Sequence, residues 1–155
     1  MGRVTDRLAE LGLELPPVAA ALAAYVPAVR SGSYVYTSGQ LPLVGGTLLA
    51  TGKVGEGAGL VGPDRAAELA GTCALNALAA VASHVDDLDR IRVVKVVGFV
   101  ASDPSFTGQP AVVNGASNLL GDLLGDRGVH ARSAVGVAVL PLDSPVEVEL
   151  VVEVL

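Results

Sequence analysis

The chain has 155 residues, 51% of them hydrophobic and only 17% charged, with 10 Lys and Arg against 16 Asp and Glu and a formal net charge of −6. That length suits one domain, and that apolar fraction excludes intrinsic disorder. The acidic balance argues against sequence-independent nucleic-acid binding, which needs clustered Lys and Arg.

The segment Thr5-Asp6-Arg7-Leu8-Ala9-Glu10 reads as a short capped helix stopped by Gly12, and Pro16-Pro17 breaks the chain beyond it. The Ala19–Ala24 stretch has no periodicity that decides its state. Arg30-Ser31-Gly32-Ser33 is a hairpin turn leading into the strand Ser33–Thr37, which alternates β-branched and aromatic residues. Gly45-Gly46 marks a second turn before a short strand, Thr47–Ala50. The glycine-rich run 52–59 lacks the Gly-Lys-Ser/Thr ending of a phosphate loop and the spacing of a dinucleotide fingerprint, so it reads as a flexible surface loop.

Pro63-Asp64 opens a long helix through Ser83, with Leu69, Cys73, Ala77, Ala80 and Val81 along one face. Arg90 to Ala101 is a long, nearly all-apolar strand, as expected where both sheet faces are covered. Asp103-Pro104 ends it. A second helix runs from Pro110 to Leu124, anchored by Leu119, Leu120, Leu123 and Leu124. Two strands close the chain, His130–Leu140 and Val146–Val154.

This order predicts an α/β (α+β) fold: a mixed sheet with both helices packed on one face. The other face is left bare within one chain. So apolar a composition leaves too little polar surface for a monomer, and a homo-oligomer is expected. No apolar run reaches the length of a membrane span, since Lys95 and Gly98 interrupt the longest candidate. The charged, periodic N-terminus is not a signal peptide, so a cytoplasmic location is expected. Cys73 is the single cysteine, which rules out an intrachain disulfide and a cysteine metal cage. A small buried thiol is expected there.

The last two strands hold the sharpest chemical signal. From His130 onward, Ser133, Val135, Val137 and Val139 form a bulky face suited to packing against helices. Arg132 shares the opposite face with Ala134, Gly136 and Ala138, which suggests a hollow with a guanidinium at one end. Such a fork binds a carboxylate bidentately. The other reading is an edge arginine paired with a neighbouring glutamate. In the final strand Glu147, Glu149 and Glu153 share a face. It is either a solvated face or, if partly covered, the seat of a carboxylate with raised pKa fit for acid/base work. His84 and His130 have no shared metal-ligand spacing, and no Gly-x-Ser-x-Gly elbow occurs.

Tyr36-Thr37-Ser38-Gly39-Gln40-Leu41-Pro42, Val93–Val100, Val112-Val113-Asn114, Ala131-Arg132-Ser133 and Val146-Glu147-Val148-Glu149 occur in this order. Together they resemble the Rid/YjgF family of reactive-intermediate deaminases, also called endoribonuclease L-PSP-like. The resemblance runs from about Tyr25 to the C-terminus, leaving residues 1–24 as an N-terminal helical extension and 25–155 as the family-like domain. It implies a chorismate-mutase-like fold, a homotrimer, and ligand sites in clefts between subunits. It also implies hydrolysis of 2-imino or enamine acids, such as 2-iminobutanoate and 2-iminopropanoate, to 2-keto acids and ammonia with no cofactor or metal.

Carried over by position, Arg132 would clamp the substrate carboxylate and Glu147 would hold or activate the attacking water. Tyr25 would line the cleft, Ser38 and Gly39 would supply hydroxyl and backbone contacts, and Asn114 would support the wall. The chain departs from the family where His130 stands in place of the usual proline and Ala134 in place of a frequent cysteine. Tyr25 also lies in an unusual setting. The expected partner is a small carboxylate, an imino or keto acid, with neither nucleic acid nor membrane. A non-catalytic trimer binding small carboxylates is the alternative. An endoribonuclease, which would need a stacking platform or phosphate groove, is the third reading.

Overall fold

The structure, a computed structural model, describes residues 2–155. Its first helix, α1 (Arg3–Glu10), takes its cap from far along the chain. The Asp89 carboxylate accepts hydrogen bonds from the backbone N–H of Arg3 (2.6 Å) and of Val4 (2.8 Å). An anion here answers both the unpaired amides and the positive end of the helix dipole. The Val4 amide, with that of Arg3, holds the Asp89 carboxyl below its ordinary range. Thr5 and Asp6 therefore lie inside the helix rather than capping it. Gly12, at φ +68°, lets the chain leave at the other end. Val4 and Leu8 are buried in the main core.

Irregular chain, Ala19–Ala24 included, then leads to a hairpin of β1 (Ala28–Ser31) and β2 (Tyr34–Thr37). A small separate hairpin follows, β3 (Leu43–Val44) with β4 (Thr47–Leu48), across the predicted Gly45-Gly46 turn. The glycine-rich run is less free than expected. Val54 at its centre is fully buried, donates to the Ala101 carbonyl (2.7 Å) and accepts from Asp103 N–H (2.9 Å).

Then come α2 (Pro63–Ala82), β5 (Ile91–Ala101), α3 (Gln109–Leu124), β6 (Ala131–Val137) and β7 (Val146–Val154). The main sheet is ordered β1-β2-β7-β5-β6, with only β5 and β6 parallel. Helix α3 is the crossover that a parallel pair requires. Strand β6 stops at Val137, short of Leu140, because its neighbour β5 ends at Ala101.

The helices cover one face, as the element order predicts. Leu69, Cys73, Ala77, Ala80 and Val81 of α2 are completely buried, as are Leu120 and Leu123 of α3, while Leu119 is only partly covered. The two helices cross almost in backbone contact: a Cβ on Gly115 would lie 1.8 Å from the Ala67 carbonyl oxygen. Beneath them Val35, Val96, Val100, Val148, Leu150 and Val152 form the sheet's inner layer. One irregularity interrupts β5, where its register against β7 shifts between Val93 and Lys95. The extra residue is a bulge, after which Val96, Gly98 and Val100 point inward. No helix among the described residues is long and apolar enough to cross a membrane.

Candidate functional site

Register decides where the expected residues lie. Arg132 pairs with Val96, which pairs in turn with the buried Leu150, so all three belong to the helix-covered row. Glu147 pairs with Phe99, which pairs with the exposed Val135, so that row belongs to the open face. The bulky face of β6 is thus the open one, and the Arg132 face is turned toward α3, the reverse of what alternation suggested. Small residues occupy it because α3 passes close over the edge strand. Ala134 packs on the core, and a Cβ on Gly136 would come within 2.8 Å of Gln109 Nε2. Beside Arg132 the expected hollow is occupied by a helix; a hollow of about 290 Å³ does lie farther along the same face, lined by Gly136 and Ala138 with Phe106 and Gln109, but Arg132 does not reach it.

Arg132 is held by that helix. Its Nη1 donates to Asn114 Oδ1 (2.7 Å) and to Ser117 Oγ (3.2 Å), and its Nη2 donates to the Pro110 carbonyl (3.3 Å). Positions 110, 114 and 117 share one face of α3 by helical spacing. The ion pairs among the described residues join Arg7 to Glu10, Lys53 to Asp143 and Arg65 to Glu68. None involves Arg132, so the edge-pair reading fails. A guanidinium has five N–H donors. Nε–H and one N–H on Nη2 remain uncommitted, enough for a forked grip on a carboxylate.

Glu147 stands on the open face, half-buried beside Glu149. Burial, reinforced by the Glu149 charge, pushes its carboxyl above the ordinary range, and burial does the same to Glu149. This is the partly covered alternative for that face. Gly39 lies directly against it: a Cβ there would sit 1.7 Å from Glu147 Oε1. The Gln40–Val148 bridge, N–H to carbonyl in both directions (2.8 and 3.0 Å), fixes this approach. Ser38 donates its hydroxyl to the Val26 carbonyl (2.6 Å), which ties the segment before β1 to the segment after β2. Tyr25 lines the same small hollow as Gly39, and its hydroxyl accepts from Leu22 N–H (3.3 Å).

Two clusters result. Tyr25, Ser38, Gly39 and Glu147 gather at one end of β7, while Arg132 and Asn114 stand at the β6 edge. They do not meet within a chain, because β5 lies between their strands and their side chains leave opposite faces. Two strand spacings alone separate them by about 10 Å.

Two residues join the Arg132 cluster without having been assigned a role. Ser117 Oγ lies 2.9 Å from His130 Nε2, and His130 Nδ1 lies 2.5 Å from the Gly128 carbonyl oxygen. The i, i+3 spacing of Asn114 and Ser117 was the available signal for the serine. Cys73 is buried against the Val146 carbonyl, and that burial pushes its thiol well up, as an inert core cysteine requires. Among the described residues no group of three or more His, Cys, Asp or Glu is arranged to hold a metal ion. A groove of about 540 Å³ runs between the outer surfaces of α2 and α3, but none of the expected site residues lines it.

A family model described as "YjgF/chorismate_mutase-like, putative endoribonuclease" matches residues 5–154. Protein TCP17 of Trypanosoma cruzi is 45% identical over 156 residues, covering 98% of this chain and 94% of that protein. The crystal structure of Atu1372 from Agrobacterium tumefaciens, a protein of unknown function, is 45% identical with a TM-score of 0.87, covering 98% of this chain and 92% of the other. A Shewanella oneidensis structure described as a "putative endoribonuclease" is 35% identical with a TM-score of 0.92, covering 97% of this chain and 99% of the other.

Proposed function

Since the chain belongs to the YjgF/chorismate-mutase-like family, we propose that it hydrolyses small 2-imino acids to 2-keto acids and ammonia. The observation that carries this reading is Arg132: a guanidinium braced on one side by Asn114 and Ser117, with two N–H donors unused and no carboxylate partner among the described residues. In this reading it takes the substrate carboxylate and so fixes the adjacent C=N carbon. Water adds to that carbon, giving one proton to Glu147. Glu147 returns it to the nitrogen, giving a carbinolamine; the hydroxyl proton then passes through Glu147 to the amino group, the C–N bond breaks, and ammonia leaves as the carbonyl forms. A carboxyl raised by burial suits both directions of transfer better than an ordinary one.

The two clusters must come from different copies. The open face offers the contact: Val29, Tyr34, Tyr36 and Val135 are between 38% and 53% exposed on it. A homotrimer closing on these faces would bring the Arg132 edge of one copy to the Glu147, Gly39, Ser38 and Tyr25 cluster of the next. No step in this chemistry calls for a cofactor or metal.

The separation of Arg132 from Glu147 also supports a second reading, a trimer that binds small carboxylates without turning them over. Endoribonuclease activity is disfavoured, because Glu147, Glu149 and Glu153 crowd the open face with like charge that repels phosphate.

The test generates 2-iminobutyrate in situ and follows its loss. Acceleration is expected, and Arg132→Ala should reduce it by at least about 100-fold, the cost of losing a charge-assisted bidentate grip, with the native mass unchanged. No acceleration with any of several imino acids removes the enzyme reading. Ligand-induced thermal stabilisation without turnover would install the binder in its place.

A further inference from the structure

We propose that His130, acting through Ser117, is a positioning residue for the Arg132 guanidinium; this rests on the carboxylate-binding role given to Arg132 above. Three contacts form one line: Gly128 carbonyl to His130 Nδ1, His130 Nε2 to Ser117 Oγ, and Ser117 Oγ to Arg132 Nη1.

The direction of each bond follows from the chemistry of its ends. A carbonyl oxygen only accepts, so His130 Nδ1 carries the proton. In the neutral ring that leaves Nε2 with a lone pair facing Ser117. The serine hydroxyl therefore donates to Nε2, and its oxygen lone pairs turn to Arg132, which only donates. Each group is oriented by the one before it, and the line begins at a backbone atom in the turn Gly125–Gly128 that follows α3.

The effect on Arg132 is specific. Asn114 supplies one acceptor to Nη1 at 2.7 Å, and Ser117 supplies the second. With both in place the Nη1 hydrogens are committed, and the donors left over are those on Nε and Nη2. The line thus selects which edge of the guanidinium is presented. Without the His130 lone pair the Ser117 hydroxyl loses the acceptor that fixes its rotation, and its oxygen lone pairs are no longer held toward Nη1.

The experiment measures 2-oxobutyrate affinity calorimetrically on the full chain. His130→Ala and Ser117→Ala should each weaken binding by about 3- to 10-fold, the scale of one lost hydrogen bond. The double variant should be no weaker than Ser117→Ala alone, since the histidine acts only through the serine. His130→Gln, whose side-chain oxygen can accept from Ser117, should return to within about twofold of the unaltered protein. Additive losses, or no rescue by glutamine, would overturn the proposal.

A readout that needs no ligand separates this from the reading it rests on. Nitrogen-15 spectra of the unliganded protein should show neutral His130 as the Nδ1–H tautomer. An Nε2–H tautomer defeats the proposal whether or not any carboxylate binds. Intact affinity in Arg132→Ala defeats the role of Arg132 and leaves the tautomer result standing.

Discussion

On the face of the sheet turned to α2 and α3, Val35, Val96, Val148, Leu150 and Val152 are all at most 1% exposed; on the other, Val29, Tyr34, Tyr36 and Val135 keep between 38% and 53% of their surface in water. The residue types are similar, and the difference lies in what stands opposite them. On the covered face, glycine lets backbones approach, as at Gly115 beneath Ala67. On the open face, Gly39 makes room for a carboxylate instead. One side is built to fold. The other is left open to water.

Substitutions that act on one face only are the way to break or sharpen this contrast. The largest effect is expected from Gly115→Ala, whose Cβ meets a backbone carbonyl that cannot turn aside. Overpacking of this kind costs about 3 kcal/mol, read as a fall in the urea midpoint. A loss below about 0.5 kcal/mol would mean that the helix crossing yields easily. Next comes Val135→Asp on the open face. In the proposed homotrimer it should convert the native mass from three chains to one, because a charge placed at an apolar contact strongly disfavours association. An unchanged mass would move the interface elsewhere.

Gly39→Ala should come third, and it joins the two kinds of test. The new Cβ strikes only the flexible end of Glu147, so that side chain swings away while the fold persists. Imine hydrolysis should fall by about 10- to 100-fold with little change in melting temperature. A large loss of stability would show that Gly39 serves folding after all.

The smallest effect on stability is expected from Glu147→Gln. Burial raises this carboxyl, so the folded protein prefers it protonated. Its ionisation therefore lowers stability as pH rises above the ordinary carboxylate range, and the loss is complete once pH exceeds the raised value. Glutamine removes that loss. The variant should melt slightly higher at pH 7, by less than about 1 kcal/mol for a side chain that is only half-buried, and the difference should vanish near pH 3. A variant less stable at pH 7 would contradict the direction of the shift.

How much of this could be read from the chain depended on whether the cause was local. Helix α2 announced itself through the spacing of Leu69, Cys73 and Ala77, and β5 through its nearly all-apolar run, because both patterns arise within one element. The family resemblance named Arg132 and Asn114 for one cleft, but no sequence pattern disclosed the hydrogen bond between them. Alternation in β6 correctly separated Arg132, Ala134 and Gly136 from Ser133, Val135 and Val137. It could not say which set a helix would cover, since small residues accommodate a crossing backbone as readily as a ligand. The Asp89 cap on α1 was invisible, for no local pattern ties an aspartate to amides so far away. The line from His130 to Ser117 stayed hidden for the same reason: it joins the link before β6 to a helix.

The bulge at Val93/Lys95 has a bearing on how this chain can change length. Before it Ile91 and Val93 are buried; after it Val96, Gly98 and Val100 are. An uninterrupted strand would instead keep the odd positions inward, carrying Lys95, Val97 and Phe99 under α3 and turning Gly98 to the outside. One inserted residue is therefore a phase correction, and every side chain downstream in β5 depends on it. Removing a residue there would exchange the two surfaces along half the strand, damage that no point substitution in β5 could match. Gains and losses of residues belong in the turns of such a fold, where they shift nothing but themselves.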